Sequence, residues 1–97
     1  MQYEGFDHTQ KVATDFEFDK IRRLRNRILA LEELNEIDPD NLNFTKEIMQ
    51  EKERTKTRIK NFWHYICNKY NLPSQNNYVI SAETREILII KCTNELI

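Results

Sequence analysis

Glycine is almost missing from this sequence, which has one glycine and two prolines in 97 residues. Close approach of the backbone to a phosphate or another ligand generally needs glycine, because every other residue carries a Cβ atom. The sequence has no glycine-rich phosphate loop, no plausible Ser-His-Asp set and no paired carboxylates on an apolar background. We therefore predict a protein that is not an enzyme and uses no cofactor.

Long apolar runs and paired cysteine motifs are also lacking. No apolar stretch approaches the roughly 20 residues that a transmembrane helix needs, so we expect no membrane partner. Cys67 and Cys92 lie far apart, and the first residues do not show the basic and apolar pattern of a secretory signal. A cytoplasmic protein with two reduced thiols is the expectation.

Charge is plentiful but nearly balanced, since 15 basic and 16 acidic side chains leave a net charge of −1. The total therefore predicts neither nucleic acid nor a membrane surface as a partner. The charges nevertheless come in blocks of one sign. Residues 1–19 hold five acids and one lysine, 20–27 hold five bases, 30–47 hold six acids and one lysine, and 51–60 hold five bases and two acids.

Two long helices are predicted for the middle of the chain. Thr14 and Glu17 fit a capping box, in which each side chain accepts a hydrogen bond from the backbone of the other residue. A helix should start there and end before Pro39, and a second helix should follow a short polar linker and occupy about 44–70. Short connections favour antiparallel neighbours. The first helix carries an apolar stripe of Ile21, Leu24, Ile28, Leu31 and Leu34.

The middle of the second helix is the weak part of this hairpin. Residues 50–58, "QEKERTKTR", include no large apolar side chain, although they face the leucines of the stripe. Burying an aliphatic side chain contributes about 1.5–3 kcal/mol, whereas ordering a residue costs about 1.5 kcal/mol. We therefore expect the terminal β-hairpin, a second copy of the chain, or both, to cover the stripe, including Ile28, Leu31 and Leu34.

The last part of the chain changes to strand character. "YVIS" and "EILIIKC" are rich in β-branched and aliphatic residues, and "AETR" between them is a plausible tight turn. The first residues show no sustained period, so we expect an arm anchored by Tyr3 and Phe6. The predicted fold is mainly α with a small β part (α+β), in one domain of residues 1–97: an N-terminal arm (1–13), an antiparallel helical hairpin (14–70), and a loop with a C-terminal β-hairpin (71–97).

The basic block "KIRRLRNR" supplies the candidate polar contact face. In an antiparallel hairpin it lies beside the cations of the second helix, and such a patch attracts phosphates. Pairing of these bases with the acidic blocks of the same chain or a neighbour is the plainer interpretation, and exposed pairs of that kind contribute little individually. The candidate contact residues are Arg22, Arg23, Arg25, Arg27, Arg54 and Arg58, with Leu29 and Leu34 at an oligomer seam.

Aromatic residues cluster near the end of the second helix. Trp63 and Tyr70 lie there, and we expect Tyr78 to face Trp63 from the strand. Such clusters are typical of a small core that joins a helix to a β unit, although aromatic faces also stack on nucleic-acid bases.

No metal is expected. His64 and Cys67 lie three residues apart on one helix, but together with Cys92 they make only an incomplete ligand set, and no C-x-x-C pair exists. The segment "DPDNLN" resembles the start of a calcium loop, yet it lacks the required glycine and the final glutamate.

The C-terminal third resembles an ending that recurs in small bacteriophage proteins. In those proteins a helix that closes on W…Y-x-L is followed by a Y-x-I strand, a T-G-E-I turn and a second strand; here Arg85 replaces the turn glycine. The resemblance, which covers roughly 62–90, implies a phage-encoded accessory protein that acts in the cytoplasm of the infected cell against a host factor. It transfers no functional residue.

From these patterns we predict a non-enzymatic protein-interaction module that binds or inhibits a protein partner. It should assemble as a homo-oligomer, most simply an antiparallel pair in which blocks of opposite charge align. The alternative is a nucleic-acid or nucleotide-binding protein that uses the basic blocks of both helices, with Trp63 or Tyr70 as stacking platforms. A small virion or scaffold component would show the same sequence features.

Overall fold

The computed structural model describes residues 2–37, 40 and 42–93, with the side chains of residues 5–36, 40 and 44–91. The elements are β1 (Gln2–Val12), α1 (Asp15–Ile37), α2 (Leu42–Tyr70), β2 (Tyr78–Ile80) and β3 (Glu86–Thr93). The strands form one antiparallel sheet in the order β1-β3-β2. The predicted fold class is confirmed, because two helices dominate the chain and a small β part follows them.

The N-terminal segment, predicted as an arm, is instead the third strand of the sheet. β1 pairs with β3 along most of its length, but the register shifts between Tyr3 and Gly5 and again between His8 and Val12. Gly5 has φ 112° and Gln10 has φ 63°, which are the backbone conformations that β-bulges use. Two interruptions in one strand remove the alternation by which a strand is recognised in a sequence.

Local signals set the ends of α1 as predicted. The backbone N–H of Glu17 donates to Thr14 Oγ1 at 3.1 Å, and the N–H of Thr14 donates to Glu17 Oε1 at 2.9 Å, so the capping box is confirmed. The helix ends at Ile37, two residues before Pro39. Of the predicted linker, residues 38, 39 and 41 lie outside the described residues.

The polar middle of α2 contributes one residue, Thr55, to the contact between the helices, although most of that segment is exposed. Thr55 is completely buried, and its hydroxyl donates to the backbone oxygen of Glu51 at 2.9 Å, so this buried polar group has a partner. Leu31 on α1 and Ile48 on α2 are buried as well. A single chain therefore covers Leu31 without a second copy, whereas Leu34 remains 40% exposed.

The main core lies where the helical hairpin meets the sheet. Ile66 of α2 and Ile87 of β3 are completely buried there, and Ile89 packs against them. Because successive residues of a strand point to opposite faces, Leu88 and Ile90 belong to the other face of the sheet. The buried members of this core are Ala13, Ile21, Phe62, Ile66, Cys67, Tyr78, Ile80 and Ile87.

Arg85 connects the turn between β2 and β3 to the start of α1. Its Nε atom donates to Asp15 Oδ1 at 2.9 Å, and its guanidinium carbon lies 4.0 Å from the ring centroid of Phe18. Its backbone oxygen accepts a hydrogen bond from the N–H of Ala13 at 2.8 Å. Arg85 has φ 64°, a left-handed conformation that favours glycine. The side-chain contacts therefore offset a backbone cost that glycine would avoid.

Replacing Arg85 with alanine and with glycine separates these two effects. Both variants lose the contacts with Asp15 and Phe18, but only alanine keeps a Cβ atom in the left-handed conformation. R85A should therefore have a free energy of unfolding about 1 kcal/mol lower than that of R85G. Urea unfolding followed by circular dichroism measures both values. If R85A were as stable as R85G, the left-handed conformation at residue 85 would be wrong.

Candidate functional site

The four arginines of the basic block lie on two sides of α1. Successive residues of an α-helix are rotated by about 100°, so Arg22 and Arg25 fall on one flank and Arg23 and Arg27 on the opposite one. Arg22 and Arg25 line one hollow together with Trp63, whereas Arg23 and Arg27 line another hollow that excludes it. The four side chains therefore do not form the single contact face that the sequence predicts.

Acids of the same chain bind most of these arginines. Asp19 and Glu51 each hold two guanidinium groups, and hydrogen bonds from those groups keep the pKa of both carboxyl groups below the usual value. Such exposed pairs contribute little stability, but they neutralise the basic block locally. The pairs are Arg22–Asp19, Arg23–Asp19, Arg27–Glu51 and Arg54–Glu51.

Arg25 and Lys60 differ from those arginines, since neither has an acidic partner within 4.0 Å among the residues that the structure describes. Both line a cleft of about 620 Å³ between α1, α2 and the loop before β2. No aspartate or glutamate is among its described lining residues. We call this the cationic cleft; its lining residues are Arg25, Lys60, Trp63, His64, Cys67, Ser74, Asn76, Asn77, Tyr78 and Ile90.

Trp63 forms an aromatic wall of the cationic cleft. Its ring centroid lies 6.2 Å from that of Tyr78 at an interplanar angle of 30°, and 5.1 Å from that of Phe62 at 82°. The predicted approach of Tyr78 to Trp63 is therefore confirmed. Because Phe62 and Tyr78 are both buried, they hold the indole in place while it remains half-buried at the cleft.

Tyr70, the other predicted stacking platform, lies outside the cationic cleft. Its hydroxyl donates to Glu17 Oε1 at 2.6 Å, and Lys69 Nζ donates to Glu17 Oε2 at 2.8 Å. Burial by itself would raise the pKa of Glu17, but the hydrogen bonds from Lys69, Thr14 and Tyr70 outweigh it and lower the pKa from 4.5 to about 2. Tyr70 thus ties the end of α2 to the start of α1.

The remaining predicted contact residues are dispersed. Leu29 is 57% exposed and Leu34 40%, but five positions along a helix correspond to a rotation of about 140°, so one flat seam cannot cover both. Arg58 lines a separate hollow together with Phe16 and Tyr65. These side chains therefore do not lie on one common surface.

The incomplete metal set is not completed by the fold. His64 and Cys67 both line the cationic cleft, but Cys67 is buried and burial raises the pKa of its thiol. The side chain of Cys92 lies outside the described residues. Within the described part of the chain, no three His, Cys, Asp or Glu side chains are grouped so that they could hold a metal ion.

The sheet presents a second candidate surface on the face opposite to that of Ile87 and Ile89. Val79 of β2 is the cross-strand neighbour of Leu88, and Phe6 of β1 is that of Ile90. Val12 pairs with Glu86 on the same side, and Phe6 and Val12 are 52% and 59% exposed. We call this surface the outer face and define it by Phe6, Val12, Val79, Leu88 and Ile90, with His8 opposite Leu88 as a polar residue on the same face.

Sequence reasoning missed the outer face because it left β1 out of the sheet. A signal was present, since "ILII" places aliphatic side chains on both sides of β3. A strand with one face in water usually alternates apolar and polar residues. Four aliphatic residues in succession therefore indicate that both faces of the strand are covered.

Neither α1 nor α2, as far as they are described, combines the length and the apolar character that crossing a membrane requires. Comparisons of the chain with protein-family models, curated proteins and solved structures found no match. The function is accordingly argued from the two surfaces themselves.

Glu17 should make stability depend on pH in acid. Its pKa is about 2 in the folded state against 4.5 ordinarily, so its contribution is complete above pH 4.5 and is lost as the pH falls towards 2. The shift corresponds to a contribution on the order of 3 kcal/mol at neutral pH. We expect E17Q to be destabilised by about that amount at pH 7 and to lose stability less steeply than the wild type below pH 4.5.

Urea unfolding at a series of pH values from 7 to 2 measures this effect. E53Q is the matched control, because Glu53 is an exposed acid of α2 whose Lys56 partner is also exposed. It should follow the wild type at every pH. If the free energy of unfolding of E17Q fell with pH as steeply as that of the wild type, Glu17 would not be the group that responds to acid.

Proposed function

We propose that the protein is a non-enzymatic protein-interaction module that works as a homodimer, with the outer faces of two sheets packed together. The observation that carries the proposal is the apolar character of both sides of β3. Ile87 and Ile89 enter the core of the chain, while Leu88 and Ile90 lie on the outer face. Covering these side chains removes apolar surface from water, which is the main driving force for association.

The charges of the outer face favour a second copy of the chain as its binding partner. A two-fold interface brings the same patch of each subunit together, so any charge on it meets a like charge. Glu86 is the acid at the margin of the outer face, and His8 Nδ1 lies 3.0 Å from its Oε1 atom. Self-packing of the outer face therefore brings few like charges together, in contrast to the helices, which expose many charged side chains.

Packing of the faces is favoured over strand addition at the edge of the sheet. β1 is an edge strand, and the two shifts in its register interrupt the row of backbone groups that another strand would need. Bulges of this kind protect edge strands against such pairing. The outer face is consequently the better contact surface.

The phage setting implied by residues 62–90 extends the proposal to an accessory protein that binds a host protein in the infected cell. A dimer presents two copies of the exposed flank of α1, including Arg22 and Leu29, and therefore two identical contact surfaces. Arg22 and Leu29 therefore remain proposed contact residues. The dimer contact, which the sequence suggests for the helices, is proposed for the sheet instead.

Sedimentation velocity across a dilution series tests the dimer. Leu88→Lys places a charge in the proposed contact, and F6S removes an exposed aromatic ring from it. Burying an unpaired charge is costly, so Leu88→Lys should raise the dimer dissociation constant at least about 100-fold. Leu29→Lys is the matched control, because it puts the same charge on an exposed leucine of α1 and should leave the dimer intact.

Circular dichroism and urea unfolding show whether each variant is folded, and F6S serves if Leu88→Lys is not. A wild-type chain that stays monomeric at every concentration would contradict the proposal. A dimer that survives Leu88→Lys and F6S but dissociates in Leu29→Lys would place the interface on α1 instead.

A further inference from the structure

We propose that the cationic cleft binds a free nucleotide-type ligand, a small molecule with a planar ring and a phosphate. Arg25 and Lys60 bind the phosphate, and Trp63 stacks on the ring. Ile90 borders both the cationic cleft and the outer face, but the ligand contacts proposed here are made by Arg25, Lys60 and Trp63, none of which belongs to the outer face, so the inference does not depend on dimerisation.

Arg25 and Lys60 form the phosphate-binding part of the proposed site. Arg25 and Lys60 line the same concave surface, whereas acids bind the neighbouring Arg22 and Arg27. Like charges that share a cleft repel each other, and an anion between them converts this repulsion into attraction. A guanidinium group binds phosphate oxygens through two parallel N–H groups, and a lysine adds a mobile point charge.

The other polar groups of the cleft also suit an anion. The side chains of Ser74, Asn76 and Asn77 can donate hydrogen bonds, and His64 adds a ring nitrogen. Hard metal ions and amines are usually bound with the help of carboxylates, and no described lining residue is an acid. The lining therefore suits phosphate better than a hard metal ion or an amine.

The aromatic wall forms the ring-binding part of the proposed site. Trp63 is held edge-to-face by Phe62 and lies beside Tyr78, so its ring is oriented before any ligand arrives. Stacking of a base on an aromatic side chain contributes about 1–3 kcal/mol. The cleft volume of about 620 Å³ lies in the range of roughly 300–1,000 Å³ that is typical of small-molecule sites.

The charge distribution favours a free nucleotide over a nucleic-acid strand. Strand-binding proteins need a groove of cations that follows several successive phosphates. Here acids neutralise Arg22, Arg23, Arg27 and Arg54, and the cations Lys20 and Arg58 line a hollow separate from the cationic cleft. The net charge of −1 also gives a long polyanion no general attraction.

Fluorescence of the intact protein tests the site directly, since Trp63 is the only tryptophan. We would titrate the chain separately with the four ribonucleoside monophosphates, with the corresponding nucleosides and with inorganic phosphate. At least one monophosphate should change the Trp63 emission saturably and bind at least about tenfold more tightly than its nucleoside or phosphate alone. Added salt should weaken its binding.

Three variants assign the binding to the cleft. R25Q and K60Q should each raise the dissociation constant of that monophosphate about tenfold, which corresponds to one charge-assisted contact of about 1.4 kcal/mol. R58Q is the matched control, because Arg58 is a nearby cation of α2 that lines a different hollow. It should bind as the wild type does. Circular dichroism verifies that all three are folded.

Four outcomes would overturn the proposal. One is the absence of a saturable change for every monophosphate up to about 10 mM. Another is binding of inorganic phosphate as tight as that of the monophosphates, which would remove the role of Trp63. Equal losses of monophosphate affinity in R58Q and K60Q would indicate diffuse charge attraction instead of a specific site. Binding of a single-stranded oligonucleotide at least about tenfold tighter than any monophosphate would identify a nucleic-acid groove instead.

Discussion

The contacts of the Glu17 carboxylate are the constraint on which the arrangement of the helices depends. The same side chain caps the start of α1 through Thr14 and accepts hydrogen bonds from Lys69 and Tyr70 at the end of α2. A buried carboxylate is stable only if its oxygens are satisfied, and these three donors satisfy it. The two helix ends are therefore held at one level, directly above the core that the sheet completes.

This level also determines which residues meet further along the hairpin. In antiparallel helices, moving eight residues forward from Glu17 and about eight back from Lys69 advances the same distance of roughly 12 Å along both axes. The residue reached on α1 is Arg25, and the residue reached on α2 is next to Lys60. These are the two cations that share the cationic cleft. The Glu17 contacts thus set the helix register that brings separate basic blocks together, although they take no part in the cleft.

Much of this fold could be predicted from interactions between residues close in the sequence. The parts that depend on pairing between distant residues could not. The start of α1 depends on residues three positions apart, and its end depends on Pro39, so both could be read from the sequence. β1 could not, because its register shifts erase the alternation and its partner strand is β3 at the other end of the chain. The cationic cleft was hidden for a similar reason: Arg27 finds its acid, Glu51, on the other helix, whereas Arg25 finds none among the described residues.

The pairing of Gln2 with Thr93 gives the sheet a definite place in the order of folding. A chain leaves the ribosome from its N-terminus, so β1 must wait for both helices and for β3 before it gains a partner. The helices, whose contacts are mostly local, form faster than such distant strand pairing. Phe6 and Val12 are consequently among the last side chains to be positioned, so any contact through the outer face has to follow completion of the sheet.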